Sequence, residues 1–386
     1  MRRRDLFPLI AAPALAQPRR PRVAAIVTTY YFWSHADVIL GRLMAGCSPH
    51  GKWHANRCDV VTLYMHQVHE KDMGGDLAAR HGFRIVDSIE AAITPDIDAV
   101  CFVGEHGNYP NNDVGQKMYP RFELFSQILD VYEKRGRALP TFFDKHLSYS
   151  WDNAKSLYDR AAKLKTPWMA GSSIPLSVRS PHWIPALGEK MTGAVAIGYG
   201  DNDAYGFHTL EALQSIVERR AGGESGIARV EMIEGQRALD QIHGVEPLVE
   251  AAIKTMPDAR KGHLEELVKK PVCFVVRYRD GLEAKCFLLN GVVEHWAVAA
   301  QANGKINACM FGPAVRSRPL PHFDGLVHNI EEMFLTGKPQ YPVERTLLTT
   351  GALAHLFESK RSGRAVDTPG LAIRYDAPRN PFVQTA

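Results

Sequence analysis

No stretch of this 386-residue chain approaches the ~20 consecutive apolar residues that a helix needs to cross a bilayer. The formal net charge is only +4, and no basic stripe interleaved with aromatics occurs, which argues against nucleic acid as a partner. None of the six cysteines forms a Cys-x-x-Cys pair. Cys101, Cys273 and Cys286 lie in apolar runs and read as buried thiols. Cys47 and Cys58 sit in a polar loop and are open to pairing in an oxidising compartment, which spacing alone does not decide. Internal repeats and low-complexity segments are also missing. What remains is a chain with 45% hydrophobic residues, long enough to bury a large core and to fold as two domains.

The first residues stand apart. Arg2-Arg3-Arg4-Asp5-Leu6-Phe7 is a basic head, Leu9 to Leu15 a short apolar segment, and Ala14-Leu15-Ala16 fits the small-x-small rule for cleavage. Paired arginines in this setting point to the pathway that exports folded bacterial proteins. Residues 1–16 therefore read as a Tat-type signal, and the mature chain is expected in the periplasm or outside the cell.

From residue 20 the pattern alternates. Arg22–Val27, Asp59–Met65, Phe83–Val86 and Asp98–Val103 read as strands, and His35–Met44, Asp76–His81 and Arg121–Lys134 as helices, with Ser34 a cap and residues 46–57 an irregular insertion. Such β-α-β-α order implies a parallel sheet covered on both faces. Beyond about residue 170 the pattern changes. A helix over Ala204–Val217 is followed by strands at Ala228–Ile233, Val272–Arg279, Leu282–Leu289 and His295–Ala300, with Asp280-Gly281 as a hairpin turn. Phe323–Leu335 and Val343–Ser359 read as closing amphipathic helices. The expected fold is α/β: a Rossmann-like domain over 20–168, then an α+β domain with a mostly antiparallel sheet over 169–386.

The chemistry concentrates at Thr141-Phe-Phe-Asp-Lys-His-Leu-Ser-Tyr-Ser150. A short aromatic strand runs straight into Asp144, Lys145 and His146, and an alanine-rich helix begins at Trp151. Strand ends that open into helix starts are where α/β proteins bind ligands.

With these residues in place, the chain resembles the Gfo/Idh/MocA oxidoreductases. That family carries a strand ending in Glu-Lys-Pro where Asp144-Lys145-His146 stands, and Lys145 matches its lysine. Gly206-Phe-His208-Thr-Leu-Glu211 resembles the family's Asp-x-Gly-x-His-x-x-Asp helix, so His208 matches the catalytic histidine. The resemblance implies NAD or NADP as cofactor, a small polyhydroxylated substrate and an oligomer formed through the second domain's sheet. It makes Lys145 and His208 catalytic, with Asp144 tuning the lysine. It sets Thr28, Thr29, Gly104 and Lys145 at the cofactor, and Glu105, His106, Tyr109, His146 and Tyr205 at the substrate.

Two departures stand out. Val27-Thr-Thr-Tyr-Tyr-Phe-Trp33 replaces the glycine-rich phosphate loop, and the second strand ends Tyr64-Met-His-Gln67 instead of in an acid. Two alternatives stay open from the residues themselves. Glu105, His106, Asp144, His146 and His208 hold ligand types suited to a divalent metal. A secreted binding protein without a reaction would use the same surface.

Overall fold

The structure, a computed structural model, describes residues 19–312 and 320–385. The expected signal at 1–16 lies outside them. Six parallel strands form the first sheet: β1 (Arg22–Val27), β2 (Asp59–Met65), β3 (Arg84–Val86), β4 (Ala99–Val103), β5 (Thr141–Asp144) and β6 (Trp168–Gly171). Their spatial order is β3-β2-β1-β4-β5-β6, so the direction of winding reverses between β1 and β4. Val23–Val27 and Ala99–Val103 are fully buried, which is why both read as unbroken apolar runs and not as alternating strands. Helices α1 (His35–Ala45), α2 (Gly74–His81), α3 (Ile89–Ala92), α4 (Arg121–Arg135) and α5 (Trp151–Lys163) are the crossovers. Ser34 caps α1 by accepting from the Asp37 amide, and Ser150 caps α5 through Asn153.

The second sheet contains β7 (Met191–Gly198), β8 (Ile227–Glu234), β9 (Val272–Tyr278), β10 (Glu283–Leu288), β11 (Trp296–Ala302) and β12 (Lys305–Phe311) in the order β8-β9-β10-β7-β11-β12. Two-residue strands at Val366–Asp367 and Arg179–Ser180 close its ends. Only the β7–β10 pair among these six is parallel. Helix α6 (Ala204–Val217) and the long α11 (Glu344–Ser362) cover one face through Phe207, Leu210, Leu213, Leu353 and Phe357. Between them in sequence lie α7 (Gln236–Asp240), α8 (Glu246–Lys254) and α9 (Leu264–Leu267), and α8 covers the other face. Helix α10 (Asp324–Thr336) returns to the first domain, where Leu326, Val327, Ile330 and Met333 share a core with Val23, Ala25 and Leu43.

Three details differ from the expectation, and the cysteine pairing left open by spacing is decided. Strand β6 carries the first sheet to Gly171, past the expected boundary at 168. Strand β12 and helices α7 and α8 were not foreseen; half of β12 is partly exposed, so its apolar signal is weak. The insertion at 46–57 contains a small hairpin, Gly46–Cys47 with His54–Ala55. Cys47 and Cys58 are both free thiols.

Candidate active site

Loops following β1, β4, β5 and β6 meet the start of α6 at the carboxyl edge of the first sheet, and the charged residues gather there. Lys145 follows β5 in a left-handed conformation (φ 72°), and its amide donates to the Gly171 carbonyl at 3.1 Å. A non-glycine residue held at positive φ is strained, and strain of this kind collects at functional sites. The turn lifts the lysine toward the second domain, where its Nζ lies 2.6 Å from His208 Nε2. An ammonium is only a donor, so His208 accepts through Nε2 and carries its proton on Nδ1. That Nδ1 lies 2.6 Å from Ser172 Oγ, which in turn accepts from the Ile174 amide at 3.0 Å. Burial, then Lys145, holds the His208 imidazole well below its ordinary value, so the ring is neutral at pH 7.

Asp144 points the other way. Its Oδ2 lies 2.7 Å from His35 Nδ1 at the start of α1, and burial pushes its carboxyl up to about 6. The His35 amide donates to His106 Nδ1 at 3.2 Å, and His106 also sits at positive φ. Burial lowers both His35 and His106.

Arg121, the first residue of α4, is 1% exposed and ties the remaining groups together. Its guanidinium pairs with Glu105, donates to the Gly104 carbonyl at 2.8 Å and reaches His146 Nε2 at 2.7 Å. Burial alone would raise Glu105, but Lys145 and Arg121 outweigh it and hold the carboxyl below the usual range. Because Arg121 donates to His146 Nε2, the neutral ring carries its proton on Nδ1, which has no partner. Asp203 Oδ1 is likewise buried and unpartnered, 3.8 Å from His146 Nε2. Glu105, Lys117, Tyr119, His146, Asp201 and Asp203 line a cavity of about 240 Å³ beside these groups. Carboxylates, an imidazole and an aromatic ring around a wet cavity suit a ligand bearing several hydroxyls.

The structure thus brings together Lys145, His208, Asp144, Glu105, His106 and His146. Tyr205 stands one turn before His208 with its ring 5.6 Å from Trp296, while Tyr109 lies further out against His66. The five residues considered for a metal do not converge on one point, because Arg121 occupies the space between Glu105 and His146. The set of three close ligand atoms among the described residues lies elsewhere. Sequence reasoning passed over His35, Ser172 and Asp203, and gave Arg121 no part in holding the charged groups together. Of these, only Gly171-Ser172-Ser173 carried a signal, as small polar residues at a strand end.

The residues expected at a cofactor are already engaged. Thr28 and Thr29 are buried, with Thr28 Oγ1 donating to the Glu105 carbonyl at 2.7 Å. Tyr30 is 1% exposed, and its carbonyl accepts from the Met73 amide at 3.0 Å. Tyr31 stacks on His69, and Gln67 exchanges bonds with the Asn108 backbone. At the start of α1 the Trp33, His35 and Asp37 amides already donate to Asp37, His106 and Ser34. A pyrophosphate laid at this helix start in the customary way meets occupied donors, two tyrosines and the Asp37 carboxylate. The strand-end residues therefore do not fit a dinucleotide in that pose.

This two-sheet architecture, with a lysine after the fifth strand facing a histidine on the next domain's first helix, is shared with solved structures of dehydrogenases and oxidoreductases. Its structural neighbours are of the Gfo/Idh/MocA type. A myo-inositol dehydrogenase from Lactobacillus casei, solved with NAD(H) and myo-inositol, superposes with a TM-score of 0.59 at 11% identity, over 91% of this chain and 97% of that one. GenD2 from gentamicin A biosynthesis, in complex with NAD, gives 0.56 at 14% identity over 94% and 99%. An aldose–aldose oxidoreductase from Caulobacter crescentus, complexed with glycerol, gives 0.50 at 14% over 91% and 100%. No family model and no curated protein sequence matches the chain. Identities this low establish a shared fold.

Proposed function

We propose that this chain is an exported oxidoreductase acting on a sugar-like or cyclitol-like polyol, with Lys145 and His208 handling the proton of the reacting hydroxyl. The observation that carries this reading is the 2.6 Å contact between Lys145 Nζ and His208 Nε2 across the domain junction. A substrate hydroxyl entering between them would accept from the ammonium and donate to the neutral imidazole. A positioned base of this kind contributes roughly 10²–10⁴-fold to rate. Ser172 fixes the tautomer by accepting from Nδ1, and the unpartnered His146 Nδ1 and Asp203 Oδ1 offer a donor and an acceptor for further hydroxyls. NAD or NADP enters this reading from the solved structures of the fold. No step is assigned to it, because the usual pyrophosphate seat is filled.

The test is turnover and calorimetry with NAD(H), NADP(H) and a panel of polyols on the natively purified protein. Activity that Lys145→Met and His208→Ala abolish, with the melting temperature largely retained, supports the proposal. A wild-type protein that neither binds either nucleotide nor oxidises any polyol refutes it. The filled sheet edge favours a second reading, in which the cavity binds a polyol without redox chemistry. That reading expects polyols to raise the melting temperature and nucleotides to leave it unchanged.

A further inference from the structure

Away from the domain junction, a second group of compatible side chains meets where residues 46–57 fold onto α10. Gly46 adopts φ 118°, and a Cβ there would collide with the His54 carbonyl, so only glycine allows the hairpin to close this tightly. The closure sets Cys47 directly opposite His54 in register. Cross-strand partners project from the same face. Cys47 Sγ lies 3.2 Å from His54 Nε2, and that nitrogen lies 3.9 Å from Glu331 Oε2 on α10. All three ligand atoms fall within 4.8 Å of one another. Around tetrahedral zinc, with bonds of about 2.0–2.3 Å, ligand atoms sit roughly 3.2–3.7 Å apart. The three side chains are therefore close to a coordinating arrangement already.

Their surroundings support such a role. Cys47 is 2% and Glu331 0% exposed, so both are sheltered from bulk water. Arg57 holds the Glu331 carboxylate through its amide to Oε1 at 3.0 Å and its guanidinium to Oε2 at 3.1 and 3.2 Å. A ligating carboxylate is commonly fixed by outer hydrogen bonds in this way. Oε2, the oxygen nearest His54, accepts both guanidinium bonds, so a metal bound there would take the place of one of them.

We propose that Cys47, His54 and Glu331 form a binding site for one divalent transition metal of the zinc type, with water completing its coordination. One thiolate, one imidazole and one carboxylate select such a cation over magnesium or calcium. Uptake replaces the thiol proton: the S–H bond breaks, a sulfur–metal bond forms, and one proton passes to buffer without change of oxidation state. The metal clips the 46–57 insertion to α10. This site is independent of the redox reading.

The same side chains also make sense as a thiol–imidazole hydrogen bond beside a glutamate–arginine pair, and the experiment separates the two descriptions. Full-length protein is stripped with a chelator and titrated with Zn²⁺ by calorimetry and with Co²⁺ by absorption spectroscopy. The expected result is one equivalent bound, a raised melting temperature and a thiolate-to-cobalt charge-transfer band. Cys47→Ser should remove that band, and Cys47→Ser and His54→Ala should each weaken Zn²⁺ binding roughly hundredfold. His54 is partly exposed, so its alanine variant keeps the test informative if the cysteine variant misfolds. No saturable one-equivalent uptake by the wild type, or affinity unchanged in His54→Ala, overturns the proposal.

Discussion

Replacing Arg121 with methionine tests the electrostatic account of the junction. The side chain is 1% exposed and pairs with Glu105, which is itself 5% exposed. Methionine keeps much of the apolar stem but leaves the Glu105 carboxylate buried without its partner. Breaking a buried ion pair from one side costs about 3–5 kcal/mol. At ~2.1 cal/mol/K of unfolding entropy per residue, 4 kcal/mol lowers the melting temperature of a cooperative unit of 386 residues by about 5 °C. If the first sheet unfolds as its own unit of roughly 150 residues, the drop is about 13 °C. The double variant Arg121→Met/Glu105→Gln removes both charges and should recover much of the loss, because the uncompensated anion is gone. Calorimetric melts of the two single variants and the double variant give the coupling energy directly. A methionine variant within about 1 °C of wild type, or strictly additive losses in the double variant, would show that the pair is not what holds this edge.

Other perturbations have equally definite outcomes. His35, His106, His146 and His208 are all lowered from the ordinary 6.5, chiefly by burial. The unfolded chain takes up these protons below pH 6.5 more readily than the folded one, so their contribution is full above that pH and is lost as pH falls. Asp144 and Asp203, raised to about 6 from 3.8, act oppositely between those values, two groups against four. The melting temperature should therefore fall as pH drops from 7 to 5; a flat or rising profile contradicts the assigned neutral imidazoles. Gly171→Ala introduces a Cβ 2.5 Å from Thr346 Oγ1 and 2.7 Å from Glu211 Oε2 at φ 123°, and should cost about 2 kcal/mol or more in equilibrium unfolding. Ser172→Ala removes the acceptor for His208 Nδ1 and should lower turnover more than it lowers the melting temperature.

Much of this arrangement was legible before the fold was known. The segment 204–217 declared itself as a helix because its apolar residues recur at helical spacing, and β1 and β4 did so because strands buried on both faces are continuously apolar. The pair Lys145–His208 was accessible only through resemblance, since nothing local relates two residues on different domains. Arg121 was hidden for a physical reason: an arginine at a helix start is ordinary until the order of β1, β4 and β5 sets it between Glu105 and His146. His35, at the first position of α1, was hidden in the same way. The aromatic run at 30–33 did announce that the usual phosphate loop was missing. How fully the neighbouring loops would engage it, through Met73, His69 and His106, depends on contacts 38 to 75 residues away in the chain.

Helix α10 has a consequence for how the chain is made. The first sheet is complete at Gly171, yet one of its faces is covered in part by α10 residues Leu326 to Phe334. A ribosome adding ~5–20 residues per second needs roughly 8–33 s to synthesise the intervening stretch. Throughout that interval Val23, Ala25 and Leu43 have α1 but lack α10 beside them, and the nascent domain presents the uncovered part of that apolar face to whatever is nearby. Completion of the amino-terminal half therefore waits on the carboxyl-terminal half. Truncation before residue 324 should leave a sticky, chaperone-dependent fragment, not an independent domain.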